Sequence, residues 1–231
     1  MHLPTNHYGD TISVMRFVVG EFYHVYNRGV EGRNIFLEDA DYRRFLKALL
    51  AFNADQSVEL RFQQNTEIVS PKERLASLTS YALMPNHVHL LFHCINEKNL
   101  SLFLQKIFIG YTMYFNAKYE RKGVLFQGRS KSKHISDDRY LKHLFDYIHL
   151  NPLDSIMPEW RTHGIANVSA AKTALMEYKW SSLHGILNQK QDSILDYGLI
   201  SELFPDRQDL LKSMLEWSSE KLENSEHFIL D

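Results

Sequence analysis

Residues 79–94, TSYALMPNHVHLLFHC, decide the fold. Pro85-Asn86 reads as a tight turn between two β-strands, because proline fixes its own φ and asparagine tolerates turn geometry. Beyond the turn, strand alternation puts Val88, Leu90 and Phe92 on one face and His87, His89, Leu91 and His93 on the other. The apolar face has a core to enter. The histidine face needs a further explanation, and two imidazoles projecting the same way from adjacent same-face positions can share one metal ion. A half-buried, hydrogen-bonded histidine pair has the same pattern, and His-x-His alone does not separate the two readings.

Upstream of this hairpin, residues 16–26 alternate and are rich in Val, Phe and Tyr, which predicts a strand ending at the turn signal Asn27-Arg28-Gly29. Residues 38–52 carry Tyr42, Phe45, Leu46, Leu49 and Leu50 at helical spacing. Residues 58–69 read as a more polar strand, broken by Ser70-Pro71. Downstream, Leu100, Phe103, Leu104, Ile107, Phe108, Tyr111, Tyr114 and Phe115 form a wide apolar stripe and predict a second helix over residues 96–119. A strand-like piece, GVLFQG at 123–128, leads into a basic loop, RSKSK. Ser136 is the expected N-cap of a third helix over residues 140–150, with Asp137 and Asp138 in its first turn and Pro152 ending it. Then follow a polar loop at 162–169, a short helix at 170–178, a turn anchored by Trp180, and a pair of helices within 199–222.

This order predicts an α+β fold: a ferredoxin-like sandwich with a central antiparallel sheet and helices packed on it, plus a helical C-terminal extension. The expected divisions are a loosely ordered N-terminus at 1–15, one main domain at 16–185, and an acidic helical extension at 186–231.

On the third helix, Leu141, Leu144, Phe145 and Ile148 form the core stripe, while Tyr140, His143, Tyr147 and Asn151 lie along a second face. Tyr147 and Asn151 are neighbours one turn apart only if the helix persists to the residue before Pro152, a position that disfavours helical backbone.

Composition narrows the function classes. A single cysteine, Cys94, rules out an internal disulfide framework and a thiolate zinc cluster, so a metal would be held by His, Asn, Gln, Asp or Glu. No run approaches the ~18 apolar residues of a membrane span, and the N-terminus lacks the basic flank and apolar stretch of a secretory signal; a cytoplasmic protein is expected. The net charge of −2 argues against a general polyanion binder, but its distribution is uneven. Lys118, Arg121, Lys122, Arg129, Lys131 and Lys133 face a single acid, Glu120, between residues 118 and 134, whereas acids outnumber bases ten to three over residues 192–231. Phe126 and Gln127 interrupt the basic run, a mixture suited to phosphate contact with occasional base stacking.

Five blocks in this order, YHVYNRG, LMPNHVHLLF, GVLFQGRSKS, DYIHLNP and KWSSL, resemble the HUH single-tyrosine transposases of insertion sequences, and most closely the REP-associated tyrosine transposases. The resemblance spans roughly residues 20–185. It implies a ferredoxin-like domain that nicks and joins single-stranded DNA near hairpins, with a divalent metal, Mg²⁺ or Mn²⁺, and a covalent 5′-phosphotyrosine. By motif, His87 and His89 match the two ligand histidines, Tyr147 the nucleophile, and Asn151 a third polar ligand. Arg28, Arg33 and the six basic residues above are the expected DNA contacts, with single-stranded or hairpin DNA as the partner. Either a monomer or a homodimer exchanging the tyrosine helix is compatible with the resemblance. Two competing readings are a catalytically silent hairpin-binding regulator and a His-ligated zinc hydrolase, the latter lacking a clear carboxylate base.

Overall fold

The computed structural model describes residues 17–53, 74–188 and 193–216. Four strands, β1 (Phe22–Arg28), β2 (Ser77–Met84), β3 (His87–His93) and β4 (Lys131–Ile135), form one sheet in the order β2-β3-β1-β4, antiparallel throughout. Helix α1 (Asp39–Ala51) connects β1 to β2, and α2 (Glu97–Lys118) connects β3 to β4. This is the βαββαβ order of a ferredoxin-like sandwich, as expected from the sequence. The segment read as a polar strand at 58–69 lies outside the described residues.

The two sheet faces divide as the alternation requires. Tyr23, Val25, Val88, Leu90 and Phe92 are buried on one face, where Phe92 meets Phe103 of α2 edge-on at 5.6 Å and Phe45 of α1 meets Tyr111 of α2 at 5.1 Å. The second face carries His24 and Tyr26 of β1, opposite Leu91 and His89 of β3. It is covered by α3 (Asp138–Leu150), which packs against β2, β3 and β4.

Behind α3 the chain continues through α4 (Trp160–His163), α5 (Val168–Glu177), α6 (Leu183–Leu187), α7 (Tyr197–Leu203) and α8 (Arg207–Leu215). These helices share the core: Phe204 lies 4.2 Å from Phe145, and Asp196 accepts from the Ser77 hydroxyl at 2.7 Å while its own amide bonds Leu78 O. The outer edge of β2 is covered by the chain at 180–182. Leu83 N bonds Trp180 O, Ser182 N bonds Tyr81 O, and Ser182 Oγ accepts from Tyr81 N.

Four local expectations are corrected. RSKSK is not wholly a loop: Lys131 to Lys133 begin β4, a largely exposed edge strand in which only Ile135 is buried, so it forms without an apolar run. GVLFQG contributes only an isolated bridge between Gly29 and Phe126. The cap of α3 is Asp137 rather than Ser136, its carboxylate accepting from Tyr140 N at 2.9 Å. Pro152 changes the helix type instead of ending the helical path. Asn151 keeps helical backbone (φ −50°, ψ −38°), and a 3-10 segment, Asn151–Ser155, follows with proline in its first turn, where no N–H is required.

Helices α1 and α2 are joined by a polar staple. The fully buried Asp41 accepts from Lys118 at 2.5 Å, Tyr119 at 2.7 Å and Tyr114 at 3.0 Å, and also caps α1 by accepting from the Leu37 and Glu38 amides. Burial by itself would raise the Asp41 pKa; the Lys118 ammonium, the Leu37 amide and the two phenols outweigh it and hold the carboxyl below its ordinary 3.8. A carboxylate depressed in the folded state stabilises the fold above its unfolded pKa, and that stabilisation is lost as pH falls through the lowered value. Asp41→Asn is therefore expected to cost about 1–3 kcal/mol at pH 7 in urea unfolding, discounted for the partly exposed Lys118. Its difference from wild type is expected to shrink as pH drops below about 4.

Candidate active site

The histidine hairpin is held by the loop that follows β1. Gly29 N donates to Asn86 O, and the amides of Ile35 and Phe36 both donate to Pro85 O, so the Pro85-Asn86 turn is gripped by backbone bonds. The Asn86 side chain closes the clamp: Nδ2 donates to Gly32 O at 3.3 Å, and Oδ1 faces His87 Nδ1 at 2.7 Å. An amide oxygen only accepts, so His87 carries its proton on Nδ1 and offers the Nε2 lone pair.

His89 is 2% exposed, between the small Ala82 of β2 and Tyr26 of β1. Its ring lies 4.9 Å from that of His87, and its Nδ1 is 2.9 Å from Nε2 of His24, a fully buried residue. Burial, then the Lys133 charge, pushes the His24 pKa down to about 3. Burial first, then the charges of His24, His87 and Arg161, holds His89 well below its ordinary value. Both imidazoles are neutral at pH 7, the form that binds a metal.

Helix α3 delivers Tyr147 to this face. Its ring is edge-on to His89 at 5.8 Å, within the same chain, and is itself buried. Arg161 of α4 lies over it, with Cζ 4.7 Å from the ring centroid. That guanidinium is fixed by Asp154 (Nη2 to Oδ2 at 2.7 Å, Nε to Oδ1 at 3.1 Å), and Trp160 Nε1 donates to the same carboxylate at 2.6 Å. Asn151 is fully buried one turn beyond Tyr147. Its Nδ2 donates to Tyr147 O at 2.7 Å, and its Oδ1 accepts from Arg161 Nη2 at 2.9 Å.

Among the described residues no group of three His, Cys, Asp or Glu could hold a metal ion. His87 and His89 nevertheless suit a divalent cation: His89 Nε2 is buried without a hydrogen-bond partner, both imidazoles are neutral or poised as acceptors, and two nitrogens leave open coordination positions. Asn151 Oδ1 can join them only by sharing its second lone pair with Arg161 or by losing that bond.

The basic residues separate into two groups. Lys131 and Lys133 pair across the strand with Tyr26 and His24, on the histidine face, where Lys131 lies 5.6 Å above the Tyr26 ring and Lys133 5.0 Å above the Tyr140 ring. Arg28 is opposite His87, and Lys122 and Arg129 are exposed nearby in sequence. Lys118, by contrast, is committed to Asp41 and Glu38 on the α1–α2 side of the sheet. Arg121 stacks 5.7 Å from Phe115 at the end of α2, and Arg33 bonds Val30 O and Glu31.

Sequence reasoning missed His24 and Arg161. His24 stands two residues before Tyr26 in YHVYNRG, and the alternation could have placed it on the histidine face. Arg161 lies ten residues beyond Asn151, across Pro152 and Pro158, where no periodicity connects it to the helix. His149, which the spacing leaves off the site, is structural: Nδ1 donates to Phe145 O and Nε2 accepts from the Ser182 hydroxyl at 2.7 Å, tying α3 to the 180–182 segment.

Residues 52–151 match the family model described as "Transposase IS200 like", a span that includes His87, His89, Tyr147 and Asn151. The resemblance read from the five blocks is borne out by this match. No curated protein matches the chain in sequence. Among solved structures, a REP-associated tyrosine transposase bound to a REP hairpin is similar at 12% identity and a TM-score of 0.48, covering 81% of this chain and 94% of that one. A bacterial tRNA(His) guanylyltransferase-like protein in complex with ATP follows at 10% identity and 0.37, covering 72% and 71%. No described helix is long and apolar enough to cross a membrane.

The clamp on the hairpin rests on one glycine. A Cβ at Gly29 would stand 2.1 Å from Arg33 O, although the backbone there (φ −61°) suits any residue. Gly29→Ala is expected to destabilise the protein by roughly 1–3 kcal/mol, read as a lowered thermal midpoint. Gly123→Ala, with open space around its Cβ but φ +90°, separates clash from backbone strain.

Proposed function

We propose that this chain, an IS200-like transposase over residues 52–151, cleaves and rejoins single-stranded DNA beside hairpins through a covalent 5′-phosphotyrosine on Tyr147. The observation that supports the reading best is the approach of the Tyr147 ring to His89 within one chain, with the Arg161 guanidinium over the phenol. His87 and His89 would hold a divalent cation, Mg²⁺ or Mn²⁺, with Asn151 as a third candidate ligand whose oxygen is bonded to Arg161. When bound, that ion polarises the scissile phosphate and offsets the charge that builds on it.

A phenol with an ordinary pKa near ~10 is a weak nucleophile at pH 7. Arg161, pinned by Asp154 and unable to lose its charge, favours the phenolate over the phenol. The Tyr147 oxygen forms a bond to phosphorus as the bond from phosphorus to the 3′ oxygen breaks, and the departing oxygen takes a proton to become a free 3′-OH. The phosphodiester energy is retained in the phosphotyrosine, so a second 3′-OH can attack it, release Tyr147 and join the strands without a nucleotide cofactor. Lys131, Lys133 and Arg28 on the histidine face hold the DNA phosphates, with the exposed Lys122 and Arg129 as further cations.

With end-labelled hairpin oligonucleotides and Mn²⁺, wild type is expected to form an adduct on the 3′ fragment that is absent with Tyr147→Phe and with chelator. Hairpin binding without an adduct on a cleavable site would instead indicate a catalytically silent regulator. Arg161→Gln is expected to slow cleavage at pH 7 by about ten-fold for each unit by which the phenol pKa rises, and to move the rising limb of the pH–rate profile to higher pH. An unshifted profile would remove Arg161 from the activation of Tyr147.

A further inference from the structure

We propose that His24 is a positioning residue for His89: its Nε2 accepts the Nδ1–H of His89 and so holds His89 in the tautomer whose Nε2 lone pair is offered to a cation. The inference rests on the reading of His87 and His89 as metal ligands.

The two nitrogens are 2.9 Å apart, and only one proton can lie between them. If His24 donates, His89 must carry its proton on Nε2 and has no lone pair left there. If His89 donates, its Nε2 is a free acceptor. In either arrangement Nε2 of His89 and Nδ1 of His24 are buried without a hydrogen-bond partner; the second arrangement leaves the Nδ1–H of His24 unmet but gives His89 Nε2 a lone pair that a cation can take.

The contact is held from several directions. The His24 and His89 rings are nearly parallel, with centroids 5.1 Å apart and planes at 15°. Tyr26, directly across the strand from His89, stacks on His24 at 5.1 Å and lies 6.3 Å from the His89 ring. Both histidines are buried, so neither exchanges this partner for solvent.

His87 supplies the parallel. Its Nδ1 meets Asn86 Oδ1, whose amide orientation is set by the bond from Nδ2 to Gly32 O. Each proposed ligand thus has its Nδ1 against an acceptor and its Nε2 directed elsewhere, with an amide serving one and an imidazole the other.

The test is a calorimetric Mn²⁺ titration of the full chain without DNA, for wild type, His24→Phe, His24→Gln and His89→Ala, with unfolding curves to establish that each variant is folded. His24→Phe removes the acceptor and is expected to weaken Mn²⁺ binding 10–100-fold. His24→Gln, which retains an acceptor oxygen, is expected to recover most of it, and His89→Ala to lose binding. Wild-type affinity in His24→Phe together with loss in His89→Ala would overturn the role of His24 and leave the ligand reading intact. Wild-type affinity in both would overturn the ligand reading itself. Equal weakening in folded His24→Phe and His24→Gln would show that His24 does not act as an acceptor. Should His24→Phe not fold, long-range ¹H–¹⁵N spectra of wild type saturated with Mg²⁺ decide: an Nδ1–H tautomer at His89 is expected, and an Nε2–H tautomer overturns the proposal.

Discussion

A sheet face that carries imidazoles has to be both covered and satisfied. His24 and His89 lie on such a face, and an unpaired polar group buried there costs on the order of 1–3 kcal/mol. Helix α3 covers the face and sets the Tyr147 ring edge-on to His89, while one nitrogen of each buried histidine is met by the other at 2.9 Å. The same packing that shields the histidines therefore assembles the site. Arg161 and Asp154 extend the arrangement outward, so the chain beyond Pro152 belongs to the site as much as the hairpin does.

The opposite face solves a simpler problem. Phe92, Phe103, Phe45 and Tyr111 fill the space under α1 and α2, and the buried Asp41 is met by a cation and two phenols. Lys118 is the instructive residue of that cluster. In the sequence it opens a basic run that points to phosphate contact, but three-dimensional proximity to Asp41 decides its partner. A run of like charges predicts a surface only where no buried opposite charge lies within reach.

Much of the architecture was legible because it follows from periodicity. The alternation around Pro85-Asn86 identifies the hairpin and assigns its faces, and the 3.6-residue stripes locate α1, α2 and α3 to within a residue or two. Strand β4 was hidden by chemistry. KSKHI has no apolar run, since a largely exposed edge strand needs none. The Ser136–Asp137 choice was hidden by degeneracy, both residues being good caps. At the candidate site, the proposed roles of His87, His89, Tyr147 and Asn151 were suggested by motif and spacing, whereas Arg161 depends on how a 3-10 turn redirects the chain. His24 fell between these cases: its strand and face were readable, but the 2.9 Å contact to His89 depends on the register of β1 against β3, which no single strand encodes.

The two edges of the sheet are treated differently. Along β2 the outer backbone is sealed by residues 180–182. Along β4 it is open among the described residues, and that strand presents Lys131 and Lys133. Two copies meeting edge to edge at β4 would bring four ammonium groups together, a repulsion that discourages continuous sheets between molecules. The lysines proposed to meet DNA phosphates thus also guard the exposed strand against self-association, and substitutions that neutralise them would alter colloidal behaviour.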